Sequence, residues 1–399
     1  MTSSEQALLQ QAARRLFIGG VQDVAQELCQ ANMTYGLARI LFAEEWAGVE
    51  PQALFIGAPD ATVTRNVHRW RHGFGYGGQV RYNPHLAILD SKPNGCGMLV
   101  GAIETAPDLD QLRQAVLALR STTLELDGVV LTHDLTESNH FIDVLELDQA
   151  LHPVQGLDLP RHLFVIHSSG HEHRPRSPLG PGLYLDESDT LHRMATVLPT
   201  PWGPVSLLIG QDAAAFHDFC LKVQDFNMRR RVLYGDRLFG RHQVVCNATH
   251  QGIRAPGCFH LGSYWFDHDR QLFPLTLGPD QPVYLLRPRP NLSPEVIQQL
   301  GWTRRADETG CTQALQHADL LPHGGGYSFP HLRRLIRVES DGPRRTFWLE
   351  PLDGSSPIAI EDARDLPFVY RDVAVLHRLE QLQLATAVAR YHIRHVVRE

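Results

Sequence analysis

No stretch of this chain approaches the ~20 consecutive apolar residues that a membrane-spanning helix needs. The opening residues Met1–Gln6 lack a basic segment followed by an apolar core, so no export signal is expected and the expected location is cytoplasmic. A basic excess is missing too. The formal net charge is −7, so any contact with nucleic acid has to come from a local patch. The six cysteines (Cys29, Cys96, Cys220, Cys246, Cys258 and Cys311) are scattered over 399 residues. That spread excludes a compact disulfide scaffold and leaves free thiols or metal ligands. Internal repeats and low-complexity linkers are absent. So is a regular strand–helix–strand rhythm, which favours an α+β fold with mixed or antiparallel sheets over a parallel α/β one.

What the chain does have is an ordinary globular balance, 43% hydrophobic and 20% charged, and 22 histidines. Histidine is the commonest metal ligand and the usual acid–base group near neutral pH. Residues 3 to about 48 read as helical, with Ser3 and Gln6 as a capping box and a break at Gly19-Gly20. Strands are expected at 53–57, 85–90, 128–131, 141–147, 163–166, 243–246 and 282–286. Helices are expected at 109–119, 211–235, 293–300 and 373–391, with a final strand at 393–397. Residues 171–188, rich in His, Pro, Arg and Gly, read as an exposed loop.

Four short stretches place ligand-type side chains at strand ends or in glycine-rich turns. In Pro93-Asn94-Gly95-Cys96-Gly97-Met98, glycines flank a cysteine and let the backbone approach a ligand closely. In Asn139-His140-Phe141-Ile142-Asp143, a loop enters a strand. In Phe164-Val165-Ile166-His167-Ser168-Ser169-Gly170, an apolar strand ends in histidine. In Pro322-His323-Gly324-Gly325-Gly326-Tyr327, successive backbone N–H groups could cradle an anion, although no Lys-Ser/Thr follows the glycines as in a P-loop. Taken singly, each stretch is equally compatible with a structural cysteine, a core histidine or a surface turn.

In this order, the four stretches resemble the RtcB-type RNA ligases, which join RNA ends using GTP and manganese. His72-Gly73-Phe74-Gly75 and Phe368-Val369-Tyr370-Arg371-Asp372 resemble two further family stretches, and the closing Val396-Val397-Arg398-Glu399 is similar to the family's C-terminus. The likeness runs from about residue 68 onward. It implies residues 1–60 as an N-terminal helical segment outside the family pattern and 61–399 as an RtcB-like catalytic domain, joined in one globular unit around a central metal cleft. It also implies His323 as the nucleophile that becomes guanylylated, with Cys96, His140 and His167 as ligands of one or two Mn²⁺ ions. Zn²⁺ would be a possible substitute in vitro. Asn139, Asp143, Tyr370 and Arg398 would contact GTP. The implied partners are RNA 3′-phosphate or 2′,3′-cyclic phosphate and 5′-hydroxyl ends, as in RNA repair or tRNA splicing, with any accessory protein unidentified.

The sequence departs from the family at several of these positions. Pro93 stands where the family has a metal-binding Asp, and Asp90 is the expected substitute, with Asn94 a weaker one. The family's His-Asn pair after the long helix corresponds either to Cys246-Asn247 or to His250-Gln251, with His250 favoured. Two family arginines that hold RNA ends correspond to His171 and Tyr327, and arginine is the side chain suited to bidentate phosphate recognition. Two other functions therefore stand beside the ligase. One is a nucleotidyltransferase acting on another phosphate. The other is a non-catalytic, metal-binding paralogue that binds RNA or a protein partner.

Overall fold

The computed structural model describes residues 2–152, 158–268 and 270–398. Its frame is an eleven-stranded sheet. In chain order the strands are β1 (Leu16–Ile18), β2 (Leu54–Val63), β3 (Gly75–Arg81), β4 (Cys96–Ile103), β5 (Phe141–Ala150) and β6 (His162–Ser168), followed by β7 (Gln243–Ala255), β8 (Cys258–Leu261), β9 (Phe273–Thr276), β10 (Val283–Pro288) and β11 (Ala385–Val397). Their order across the sheet is β1-β2-β3-β8-β7-β4-β6-β5-β11-β10-β9. The β1–β2 pair is parallel, and the other neighbours are antiparallel. The chain is thus mixed α+β.

β4 and β6 are buried on both faces, which is why they read as largely apolar runs and not as an apolar–polar alternation. One face carries Met98, Val100, Leu163, Val165, Phe141 and Leu145 into one core. The alternate residues Leu99, Phe164, Ile166, Ile142 and Val144 enter a second core under the helices α4 (Leu109–Arg120) and α5 (Gln211–Phe239). A third core lies around α2 (Val24–Trp46), whose middle turns are buried almost all round. Cys96 and His167 share the parity of Met98 and Val165, so both fall on the first face, at one end of their strands.

Several sequence expectations need correction. The capping box at the first helix, α1 (Ser3–Arg14), is Thr2 with Glu5, one residue earlier than expected. The helical stretch to 48 is interrupted by β1, not only by the glycine pair. The strand expected at 53–57 runs on to Val63 and is buried throughout. The glycine-rich passage after His72 contains β3. The helix expected at 373–391 ends at Gln381. Gln383 then takes a left-handed φ of 53° and the chain turns directly into β11. Among the described residues no helix is long and apolar enough to cross a membrane. Glu399, part of the C-terminal stretch singled out in the sequence, lies outside the described residues.

Candidate metal centre and nucleotide cleft

Four adjacent strands, β7-β4-β6-β5, bring the candidate ligands together. Cys96 opens β4, held by a turn in which Gly95 has φ of 66°, a conformation costly for any residue with a Cβ. Gly95 N–H donates to the Gln251 carbonyl (2.9 Å), and Cys96 N–H donates to Asn94 Oδ1 (3.0 Å). His167 lies opposite Met98 near the end of β6, and His140 immediately precedes β5. Cys96 Sγ is 3.1 Å from His167 Nε2 and 3.7 Å from His140 Nε2. In a tetrahedral site with ordinary Zn–S and Zn–N bonds, that edge would be about 3.6 Å.

The second nitrogen of each imidazole is already committed. His140 Nδ1 faces the Asp134 carbonyl at 2.9 Å, and His167 Nδ1 faces the Asn139 carbonyl at 3.0 Å. Donation of Nδ1–H to a carbonyl leaves the Nε2 lone pair of both rings aimed at the cysteine, the arrangement metal-ligating histidines use. Burial pushes the His167 imidazole well below its ordinary pKa and lowers that of His140, so both are neutral, as ligands must be. Burial also pushes the Cys96 thiol up to about 12, opposed by Arg231. A cation would have to supply the charge that stabilises the thiolate. The donor set of one thiolate and two neutral imidazoles therefore fits a divalent metal.

His250 joins from β7 through a bulge. Thr249 pairs with Gly97 and Gln251 with Cys96, so His250 is the extra residue, and its ring is turned toward the centre. Its Nε2 lies 3.3 Å from His167 Nε2, and its buried Nδ1 has no hydrogen-bond partner. Cys246, the alternative in the sequence, pairs with Val100 further up the strand and packs in the apolar core.

Asp90, expected as the substitute metal ligand, is not brought to this centre. It sits in the 3₁₀ turn Leu89–Ser91 and is held by Arg39 (3.1 Å) and the Ser206 N–H (3.0 Å), beside His68 and His72. The reason is local. Lys92 takes a left-handed φ of 47°, which turns the chain between Asp90 and Cys96. The Asn94 side-chain oxygen accepts from the Cys96 N–H, and its backbone carbonyl accepts from Asn227 Nδ2.

His323 follows a short strand, Leu320–Pro322. Its ring centroid is 4.6 Å from that of His250. Asp60, in the middle of β2, accepts from His323 Nδ1 (2.9 Å) and from the His323 backbone N–H (3.2 Å). That leaves Nε2 as the nitrogen with a free lone pair. At Gly325 a Cβ would meet the carbonyl oxygens of Arg371 (2.4 Å) and Leu277 (2.5 Å), so only glycine fits there. Asp60 was not singled out in the sequence. The available signal was a carboxylate inside a segment that is otherwise apolar, since a buried charge needs a partner.

A cleft of about 960 Å³ is lined by Cys96, Asn139, His140, His167, His323, Tyr370 and Arg398. Asp143, His250 and Asp90 do not line it. Burial raises the Asp143 carboxyl to about 7, with Arg398 (Nη2 3.5 Å away) pulling the other way, so Asp143 reaches the cleft only through Arg398. Tyr370 is half-exposed on the wall, 5.7 Å between ring centroids from Tyr327. Four cations absent from the sequence expectations also line the cleft: Arg65, Arg69, Lys92 and Arg174. Arg65 lies 4.6 Å over the Phe368 ring, and its buried Nη1 has no partner. No model of a known protein family matches the chain, and no curated protein matches it at a significant level.

Proposed function

We propose that the chain is a metal-dependent, histidine-nucleotidylating enzyme that joins RNA 3′-phosphate and 5′-hydroxyl ends with GTP, a divergent RtcB-like RNA ligase. One observation carries the reading. A histidine whose Nδ1 is fixed by a buried carboxylate lines the same cleft as a cysteine–histidine cluster fit for a cation.

Cys96, His140 and His167 would hold the cation, Mn²⁺ by the family likeness, and His250 completes a second position beside them. The metal, when bound, neutralises phosphate charge and aligns the displacement. His323 Nε2 attacks the α-phosphorus of GTP. An N–P bond forms, the bond to the bridging oxygen breaks, and pyrophosphate leaves. Asp60 holds the Nδ1 proton and offsets the positive charge that grows on the ring. An RNA 3′-phosphate oxygen then displaces His323 and takes the GMP. Attack by a 5′-hydroxyl on the RNA phosphorus forms the new phosphodiester and releases GMP. Tyr370 and Tyr327 offer faces for the guanine, Asn139 stands at the cleft mouth for a phosphate, and Arg398 covers Asp143 near the base.

Arg65 and Arg174 supply cations for RNA phosphates in place of the family's arginines at His171 and Tyr327. Their different placement favours, as a second reading, transfer of GMP to another phosphate. The test is incubation with α-labelled GTP and Mn²⁺. Acid-labile, base-stable label on the wild type and none on His323→Ala is expected. Ligation of 3′-phosphate to 5′-hydroxyl RNA separates the two acceptors. A metal-loaded protein that takes no label overturns both in favour of a non-catalytic, metal-binding protein.

A further inference from the structure

Away from the Cys96 centre, a second group of ligand-type side chains converges. α3 (Val67–Arg71) and the residue capping it place His68 and His72 four apart, on one helix face. Their rings lie 4.1 Å apart, centroid to centroid. His68 Nε2 is 3.6 Å and His72 Nε2 3.7 Å from the same oxygen, Asp90 Oδ1. A tetrahedral site with bonds of about 2.0–2.1 Å has edges of about 3.4 Å, close to both spacings and longer than an ordinary hydrogen bond.

The partners of this group are arranged as in a ligand shell. Asp90 Oδ2 accepts from Arg39 and from the Ser206 N–H, which fixes the carboxylate and leaves Oδ1 for the histidines. His72 Nδ1 lies 2.7 Å from the His68 carbonyl. With Nδ1 as the donor, the bare Nε2 lone pair of a neutral His72 points at a carboxylate oxygen. Lone pair against carboxylate is repulsive, and a cation between them reverses the sign. The side chains of His68 and His72 keep 30% and 22% of their surface, and His72 lines a cleft of about 630 Å³, so a hydrated ion can enter.

We propose that His68, His72 and Asp90 form a second metal site, independent of the Cys96 centre, that takes Zn²⁺ through two imidazole nitrogens and one carboxylate oxygen and keeps a position open to water. Imidazole with carboxylate suits Zn²⁺ better than Mg²⁺ or Ca²⁺. The ion clamps α3 to the Leu89–Ser91 turn. From α3, Arg69 already donates to the carbonyls of Ser91 (2.8 Å) and Lys92 (2.5 Å), on the segment that leads to Cys96. The second site thus steadies the turn that presents the first.

Co²⁺ and Zn²⁺ are the probes, and no nucleotide is needed, so failure here is separate from failure of the ligase reading. In Cys96→Ser, Co²⁺ is expected to give visible bands of tetrahedral type without thiolate charge transfer. In His68→Ala/His72→Ala, the thiolate band is expected to remain while Zn²⁺ content falls by one equivalent per chain. Unchanged Zn²⁺ content in that double variant overturns the proposal. So does a wild-type chain labelled with ¹⁵N-histidine in which Zn²⁺ leaves the His68 and His72 Nε2 resonances unmoved, a readout that needs no substitution to fold.

Discussion

His323 has two ring nitrogens, and Asp60 decides between them. With Nδ1–H donated to Asp60 Oδ2, Nε2 is the only nucleophilic atom. Asparagine at position 60 can turn its amide toward the ring and stabilise the other tautomer. In triad enzymes a wrong tautomer costs on the order of 10⁴ in rate. Asp60→Asn should therefore slow histidine labelling by roughly 10²–10⁴-fold while bound metal per chain stays at the wild-type level. Rapid-quench labelling beside elemental analysis reads both quantities, and loss of metal together with label would make Asp60 a ligand instead. The neighbouring residues show how far sequence reaches at this scale. Cys96, His140 and His167 were legible because each sits in its own short pattern of glycine, aromatic or strand residues. Asp90 was misplaced and Asp60 missed because nothing local records which carboxylate the fold brings to which histidine. One residue separates Asp90 from a left-handed Lys92, and that one backbone turn leaves the carboxylate with Arg39.

At the scale of elements, the long helix α5 supports the candidate metal centre. Arg230, fully buried on it, bonds Asp134 Oδ1 (2.6 Å) and Glu172 Oε1 (3.1 Å). Asp134 in turn receives the Ser169 N–H on Oδ2 and faces His140 Nδ1. Removing the guanidinium leaves two buried carboxylates without their cation. Arg230→Ala should cost about 3–5 kcal/mol in chemical denaturation. It should also weaken metal binding by roughly 10–100-fold, because Asp134, which orients His140, loses the cation that fixes it. Arg229, one residue away but half-exposed and paired with Asp225 and Asp127, is the control, and alanine there should change stability by less than about 1 kcal/mol. Competition for Zn²⁺ against a chelator separates the two effects. Elements were more legible than their joints. The long helix and the helix at 109–119 follow from apolar spacing, and the strands at 141–147 and 163–166 from short apolar runs. The bulge that turns His250 inward and the early end of the helix at Gln381 depend on pairing between distant strands, which leaves no trace in local composition.

At the scale of the whole molecule, the residues before about 60, outside the family likeness, are woven into the sheet. β1 and β2 pair with each other, β2 pairs with β3, and Asp60 reaches His323 from β2. One buried side chain ties this region to the rest. Glu44, at the end of α2, accepts from the backbone N–H groups of Gln52 (2.9 Å), Ala53 (3.0 Å) and Asn83 (2.7 Å). Burial nevertheless outweighs those bonds and raises its carboxyl to about 7. An acid whose folded pKa lies above its unfolded value of about 4.3 binds more protons in the folded chain between those two limits. Its contribution to stability is present in full below the unfolded value and is lost as pH rises through about 7, a change on the order of 3 kcal/mol. Glu44→Gln removes the titration while keeping an oxygen for the N–H groups. Denaturation midpoints of wild type and Glu44→Gln, measured from pH 4.5 to 8, should diverge in that window, the wild type losing ground relative to the variant as pH rises. Parallel curves would show that Glu44 ionises freely in the folded chain. Glu44→Ala should instead unfold more easily at every pH, because three backbone donors lose their acceptor, at about 1–3 kcal/mol for each that stays buried. A chain lacking residues 1–53 would lose the side chain, the helix that carries it and β1, and would bare the apolar face of β2. It is expected to be insoluble, not a separable domain.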